Sequence, residues 1–514
     1  MAYEKKLHEK TFGMDGQNRP NLIDQSKWRI QFGMRNKDGY LRQVPRRTIH
    51  SAISTYHSRA VKNLHAVPAE GGLVIPIAMT DRAVYAFDSS GFRPLQSGLT
   101  ASSSFFRWGT CLYNEYLYFT NPLNKVMYTD GTQVRDLGEN VPTGKYVEVF
   151  FEHLVVAGGS YKGVNEPTVA RWSSLYDFTV FEPNGKNEAD SYDFADYGRG
   201  DCGGVGLTGL KRIGEALFFF TPTYIAPMMY VGLPTVMRVG DPVVKDKGNS
   251  FPYSMVGNDS RCFFVDETLQ TFFSFDGQQA VEIGKTVGAY FFSLLSTVPS
   301  ERNKTTAYID PIETEVHWLF VSKDSTSSRF DMEIVFNYEE NTWYIAPVED
   351  VHCFLPSVRV AAVSSSTKGA AANTSTEEAF SYTYKETLPK LFGFRNGRLL
   401  KEETDSNTLA ECLTRVDPYL ETGDMHYGST LQKKEIESEA IHASVKEDSN
   451  LARVEVWTAV RNSLEETPEF IKAGQVVAEN NWPKAMFSGP RRSGNVWRQK
   501  FLFTGITSPT TVTY

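Results

Sequence analysis

Residues 254–284 read Ser-Met-Val-Gly-Asn-Asp-Ser-Arg-Cys-Phe-Phe-Val-Asp-Glu-Thr-Leu-Gln-Thr-Phe-Phe-Ser-Phe-Asp-Gly-Gln-Gln-Ala-Val-Glu-Ile-Gly. Four short runs of strand-forming residues lie here, around Met255, at Arg261–Val265, at Thr271–Phe275 and at Ala280–Ile283. The turns between them are Asn258-Asp259, Glu267-Thr268 and Asp276-Gly277. A four-stranded antiparallel meander of this size is the unit of a β-propeller, one blade.

The unit repeats. Asp130-Gly-Thr-Gln-Val-Arg-Asp-Leu-Gly138 matches Asp276-Gly-Gln-Gln-Ala-Val-Glu-Ile-Gly284, and Ser90-Gly91 keeps the same spacing to Gly98. Each turn follows an aromatic strand: Val84–Phe87, Val126–Tyr128, Phe272–Phe275. Asp-Gly supplies the positive φ that a tight hairpin turn needs. Phe392-Gly-Phe394-Arg-Asn-Gly397 repeats the start of the pattern. Gly91 and Gly131 stand 40 residues apart, one blade; Gly277 and Gly397 stand 120 apart, which predicts three. The gap between Gly131 and Gly277 predicts three blades plus an insertion at Asn184–Gly204.

Hairpins fill the rest of residues 50–405: Cys111–Tyr113 with Tyr116–Phe119, Tyr146–Phe151 with Leu154–Ala157, and Ile334–Tyr338 with Thr342–Ile345. Glu315–Ser322 alternates strictly, with Val316, Trp318 and Phe320 on one face and His317, Leu319 and Val321 on the other. Ser364–Glu378 is low in complexity and reads as a loop on a blade edge. The expected architecture is all-β: an N-terminal arm (1–49), a β-propeller of about six to eight blades (50–405) and a β-sandwich-like domain (406–514), with a boundary near Thr404–Asn407. Strands at Leu451–Arg461 and Asn495–Thr504 belong to the last part.

Composition narrows the function. The 514 residues are 13% aromatic, and the net charge is −8. A duplex-coating protein would be basic. Residues 1–50 carry 11 Lys/Arg against 5 Asp/Glu, a net +6, so the remainder stands at −14. The basic segment reads as an arm facing an acidic partner, nucleic acid or solvent. The cysteines, at 111, 202, 262, 353 and 412, form no C-x-x-C and are expected to be reduced. No signal peptide opens the chain, and Ala216–Pro234 is broken by Pro222 and Pro227, so two buried strands are expected there in place of a spanning helix. A soluble protein made in a cytoplasm is expected.

No catalytic, cofactor-binding or metal-ligating residue is assigned. The nine histidines (8, 50, 57, 65, 153, 317, 352, 426, 442) form no H-E-x-x-H. Gly203-Gly204-Val-Gly206 opens no βαβ unit, and no G-x-S-x-G or P-loop is present. Asp310, Glu313 and Glu315 beside Trp318 could mimic a glycosidase carboxylate cluster; a solvated turn is expected instead. Trp172 and Trp343 are expected to pack rather than stack sugars, and Met228-Met229-Tyr230 to be blade core.

At Ala170-Arg-Trp-Ser-Ser-Leu-Tyr-Asp-Phe-Thr-Val-Phe181 the chain resembles the R-x-W-S…D-P-x-x-W segment of tailed-phage tail proteins that carry a propeller. Gly214–Phe220 with Met229–Gly232, Phe273–Gly277 to Gly284, Val316–Phe320 with Val335–Tyr338 and Thr342-Trp343, Leu420–Asp424 and Trp497–Phe503 resemble further stretches of the same family in the same order. The resemblance covers about 110–505. It departs at Phe178-Thr-Val and in the arm. The family is the tail nozzle, or packaged-DNA stabilisation protein, of short-tailed phages. The resemblance implies a virion tail protein made in the host bacterial cytoplasm. It implies a homo-oligomeric ring, usually of six copies, below the portal and adaptor and near needle or fibre proteins. Viral DNA would pass through the ring without sequence-specific binding and be retained until ejection. It implies no catalysis, no cofactor and no stable membrane insertion. The competing readings are a propeller that binds a receptor or glycan, and a propeller glycoside hydrolase. On the nozzle reading, the arm docks a neighbouring ring, and deleting residues 1–40 leaves the propeller folded.

Overall fold

Strands such as Ala216–Phe220 and Cys262–Asp266 are apolar on both faces, which calls for a sheet covered on both sides. The computed structural model covers them by stacking small twisted sheets face to face around an axis. It describes residues 13–16, 23, 27–37, 40–54, 59–100, 107–196, 206–367, 378–403, 418–423, 434–436, 439–445, 453–461, 467–477, 484–487, 492–494, 496–504 and 510–513.

The chain is nearly all strand and forms a β-propeller. Six four-stranded units lie in six separate sheets, four of them with no further strand, that of blade 4 with one more and that of blade 1 with two more. Blade 1 is Asn63–Ala69, Leu73–Met79, Val84–Asp88 and Gly91–Gln96; blade 2 is Gly109–Tyr113, Tyr116–Asn121, Asn124–Thr129 and Val134–Asp136. Blade 3 is Tyr146–Phe150, His153–Tyr161, Val164–Trp172 and Asp190–Asp193; blade 4 is Gly209–Ile213, Ala216–Phe220, Tyr224–Gly232 and Val236–Val239. Blade 5 is Val256–Gly257, Cys262–Asp266, Thr271–Phe275 and Ala280–Glu282. Blade 7 is Cys353–Leu355, Leu391–Gly393, Arg398–Glu403 and, as its fourth strand, Arg46–Ser54. Blade 6, between them, is Thr306–Asp310, Glu315–Phe320, Met332–Asn337 and Thr342–Pro347; these four strands open a nine-stranded sheet.

A separate buried cluster fills each junction between blades, because successive side chains of a strand point to opposite faces. Leu217 and Phe219 pack towards blade 3, Phe218 and Phe220 towards blade 5. Val316, Trp318 and Phe320 pack towards blade 5 with Phe272; Leu319 and Val321 pack towards blade 7 with Phe392. Blade 1 meets blade 2 through Ile75, Ile77 and Phe119, and blade 7 through Leu64, Phe87 and Leu391. Val126 and Val149 join blades 2 and 3.

Several expectations change. Arg46–Ser54 pairs with Arg398–Glu403, so a strand from the start of the chain closes the last blade by hydrogen bonds. Trp28–Phe32 pairs with blade 6 at Phe32–Ile345 and with Tyr419–Thr422, and Met34–Lys37 packs beside blade 6. Most of the described part of the expected arm is therefore strand paired with distant parts of the chain. The described strands beyond 406 do not stand apart from the propeller. Tyr419–Thr422, Val496–Thr504, Arg453–Arg461 and Ile471–Val477 continue the sheet of blade 6, while Glu439–Val445, Lys484–Phe487 and Thr510–Thr513 join Met34–Lys37 and Tyr40–Gln43 in a second sheet. The interval of 120 residues holds two blade steps, not three, because Val358–Thr367 and Glu378–Leu388 form a hairpin inserted into blade 7 and packed on blade 1. Those strands replace the flanks of the expected loop at 364–378; residues 368–377 lie outside the described residues, as do the boundary at 404–407 and residues 197–204 of the insertion. Asp190–Asp193, within that insertion, is the fourth strand of blade 3. Ala216–Phe220 and Tyr224–Gly232 are the two expected strands, and among the described residues no helix is long and apolar enough to cross a membrane.

The repeated turns take the inferred form. Gly131 has φ +84° and Gly277 φ +95°. Asp130 Oδ1 accepts the N–H groups of Thr132 and Gln133; Asp276 Oδ1 accepts those of Gln278 and Gln279. A Cβ on Gly131 would lie 2.9 Å from Ile75 side-chain atoms in blade 1, whereas at Gly277 the nearest atom is 3.4 Å away. Gly277→Val is thus expected to cost about 1–2 kcal/mol from the left-handed backbone alone, and Gly131→Val more, since Ile75 must also move. Urea unfolding measures both; equal costs would mean that Ile75 yields freely.

Candidate functional site

The first strand of each blade is the inner one, and these strands lie side by side in parallel: Tyr253 and Thr306 form a parallel bridge, with Ala307 N donating to Tyr253 O at 2.9 Å. The residues just before the inner strands therefore gather at one mouth of the axis. They include Lys62 on blade 1, Arg107 on blade 2, Lys145 on blade 3, Lys304 on blade 6 and His352 on blade 7.

Side chains bridge this mouth. Arg107 reaches from blade 2 to blade 6, where Nη1 donates to Thr306 Oγ1 and, at 3.2 Å, to Ala307 O. Tyr146 of blade 3 donates its hydroxyl to Pro252 O, before blade 5, at 3.1 Å. Burial pushes the Tyr146 and Tyr253 phenols up. It also pulls Lys62 down to about 8 against the partial support of Asp350 and Asp81, and it lowers Arg107 and Lys145. Burial and the neighbouring cations leave two imidazoles neutral: His65, at about 4 beside Arg107, and His352, held well below its usual value by Lys62, Arg107 and Lys304. The same two carboxylates face other groups as well. Asp81 pairs with Arg59; Asp350 lies 3.8 Å from Arg329 and 3.5 Å from His352 Nε2. The mouth gathers buried cations, two neutral imidazoles and the carboxylates of Asp81 and Asp350.

Deeper along the axis, Cys111 Sγ donates to Glu148 Oε1 at 3.1 Å. Burial pushes the thiols of Cys111, Cys262 and Cys353 up, Cys353 to about 12, so thiolate chemistry is suppressed. These three cysteines are free and buried; Cys202 and Cys412 lie outside the described residues.

The expected solvated turn at Asp310–Glu315 is instead a buried charge network under the N-terminal strands. Asp310 and Glu315 are 4% and 3% exposed, while Pro311 and Ile312 at the tip of the turn are exposed. Lys37 Nζ lies 2.5 Å from Glu313, Arg35 3.6 Å from Glu315, and Lys390 2.7 Å from Asp310. Arg47 Nη2 donates to Glu333 Oε1 at 3.0 Å, and Tyr344 donates to Glu315 at 3.0 Å. His317 stacks on Tyr308 at 4.4 Å with Glu315 and Glu333 at 3.4 and 3.2 Å. Burial opposes charge on His317, but the two carboxylates outweigh it and hold the imidazole at about 9. Burial likewise raises Glu313, yet Lys37, Arg35 and Lys390 bring it to about 2. Each carboxylate faces a cation, so the arrangement acts as a clamp. Arg35, Lys37 and Arg47, three of the basic residues of the expected arm, pair within it, so deleting residues 1–40 would remove two of its cations.

A third feature lies on blades 3 and 4. Phe151 and Glu152 form a two-residue turn with φ +45° and +58°, a conformation that bulky residues rarely adopt. The Phe151 ring stacks on Tyr230 at 4.9 Å and 16°. Tyr176, Met229, Val231 and Leu233 are exposed around them. Of the stretch expected as blade core, only Met228 is buried; Met229, paired with Ala216 and Arg238, and Tyr230, paired with Met237 beyond the end of Ala216–Phe220, are exposed. Trp172 and Trp343 are buried, donating to Glu188 O and Ile283 O. No sequence signal marks the strained Phe151 turn, since Asn and Gly are the usual residues there. Among the described residues no three His, Cys, Asp or Glu gather as a metal site; His8, His57 and His426 lie outside them.

No protein-family model matches the chain, and no curated protein matches it. Solved structures do. The computationally designed Ika8 protein aligns at 8% identity and a TM-score of 0.34, covering 68% of this chain and 99% of its own. U3-55K aligns at 8% identity and a TM-score of 0.37, covering 70% of this chain and 98% of its own.

Proposed function

We propose that the protein is a non-enzymatic structural subunit of a phage tail, forming the nozzle ring that extends and closes the DNA channel below the portal and adaptor. One observation carries the reading furthest. The propeller axis is bridged by Arg107 and Tyr146, while an apolar surface of Phe151, Tyr176, Tyr230, Val231 and Leu233 faces outward. Exposed apolar surface of this kind favours association, and a ring requires one such surface repeated by rotation. DNA would then run along the axis of the assembled ring, not through the propeller. The family-like stretches also fall on propeller strands: Gly214–Phe220 leads into and forms the second strand of blade 4, and Val316–Phe320 lies in the second strand of blade 6.

Mass photometry of the full chain is the test. A closed oligomer, with six copies expected, that dissociates in Tyr230→Asp and Leu233→Asp supports the reading. Particles lacking the protein should package DNA and leak it. Particles that retain their genome and fail only at adsorption would replace this reading with receptor binding.

A further inference from the structure

We propose that His153 and Glu188 form a proton-operated latch on blade 3: one proton held between them keeps the segment Lys186–Ala189 on the blade, and its loss loosens that segment. The latch is independent of the nozzle reading.

Hydrogen bonding fixes the tautomer of His153. Its side chain is fully buried, and Nδ1 lies 2.7 Å from Ser173 O. A carbonyl oxygen only accepts, so Nδ1 carries a hydrogen. In the neutral ring Nε2 is then an acceptor. It lies 3.7 Å from Glu188 Oε2, and both atoms are buried without a hydrogen-bond partner. Two acceptors that face each other away from water repel, and each lacks the bond it would make in solvent. One proton on Nε2 removes both faults and turns the contact into an ion pair. The Glu188 side chain keeps 20% of its surface in water, so its carboxylate stays charged and the proton settles on the imidazole.

Other elements surround the ring. Tyr230 of blade 4 lies 6.2 Å away, ring to ring, and Glu152, the preceding residue, accepts the Tyr113 hydroxyl of blade 2. Among the described residues Glu188 is the one carboxylate within 4 Å of the imidazole nitrogens. The contact also has a mechanical consequence. Glu182–Lys186 is exposed, while Trp172 Nε1 donates to Glu188 O at 3.0 Å. Glu182, at the far end of the loop, is held separately by Tyr161 and Lys162. Repulsion between Glu188 and a neutral His153 therefore acts on Lys186–Ala189 and on the Trp172 bond, not on the whole loop.

Hydrogen–deuterium exchange of the full chain at pH 5 and at pH 9 tests this, corrected for intrinsic exchange rates and run in chelator so that no metal ion replaces the proton. Protection of Lys186–Ala189 is expected to fall about tenfold or more at pH 9, the weight of one charged hydrogen bond. Glu188→Gln supplies an N–H that donates to the neutral Nε2, so it should hold the segment equally at both pH values; Glu188→Ala should leave it loose at both. In protein labelled with 15N-histidine, with His153 assigned through His153→Gln, Nε2 should be protonated at pH 5 and unprotonated at pH 9, and Nδ1 protonated throughout. That spectrum decides the matter even if Glu188→Gln fails to fold. Equal protection of the wild type at both pH values, a pH response that persists in Glu188→Gln, or an unprotonated Nε2 at pH 5 would overturn the proposal.

Discussion

Glu333→Ala is expected to destabilise the protein by about 3–5 kcal/mol, the range for breaking a buried ion pair from one side. Glu333 is 1% exposed and joins Arg47 at 3.0 Å to His317 at 3.2 Å. Truncating it leaves two buried cations without their shared anion. The damage should be local before it is global. Arg47 lies on the strand that closes blade 7, so amide hydrogen exchange at Arg46–Ser54 should speed up first. Replacing both partners, as Arg47→Met with Glu333→Leu, should recover most of the loss, because an apolar pair carries no desolvation penalty. The exposed pair Lys162–Glu182 is the contrast: Glu182→Ala should leave the urea midpoint where it was. A Glu333→Ala midpoint equally unmoved would show that the network does not hold the closing strand.

Stability should fall as pH rises from about 6.5 towards 9. His317 is held at about 9 in the fold against an ordinary 6.5. A raised folded pKa contributes stability that is complete below the unfolded value and is lost as pH climbs through the folded one. The difference between those two values corresponds to about 3 kcal/mol. Lys62 acts in the opposite sense. Its folded value of about 8, below the ordinary 10.5, means that stability returns between about pH 8 and 10.5. The stability curve should therefore dip between pH 8 and 9. His317→Gln should remove the falling limb and leave the rising one. Urea midpoints taken from pH 6 to 10 decide this; a wild-type curve flat from 6.5 to 8 would show that His317 is not charged in the fold.

The sequence by itself determined the blades. A hairpin is a local object: strand residues with period two, closed by an Asp-Gly turn whose carboxylate caps its own backbone. Asp276–Gly284 and Asp130–Gly138 carry both signals within nine residues, and the alternation of Glu315–Ser322 marks a strand, both of whose faces the structure buries between blades. The flanks of the low-complexity segment were not legible, because they belong to a hairpin that inserts into blade 7 and packs on blade 1, a partner nearly 300 residues away in the chain.

Only the tertiary structure decided how the ring closes and where charge gathers. Arg35, Lys37 and Arg47 read as a basic arm because their carboxylate partners, Glu313, Glu315 and Glu333, lie some 280 residues downstream, and no local pattern links them. The axial mouth is the same case: Lys62, Arg107, Lys304 and His352 are isolated residues in sequence, each with an ordinary neighbourhood. They meet because parallel inner strands bring equivalent positions to one end of one axis. Local turns and side-chain alternation act over a few residues and can be read from them; charge acts through space, and its partners exist only once the chain has closed on itself.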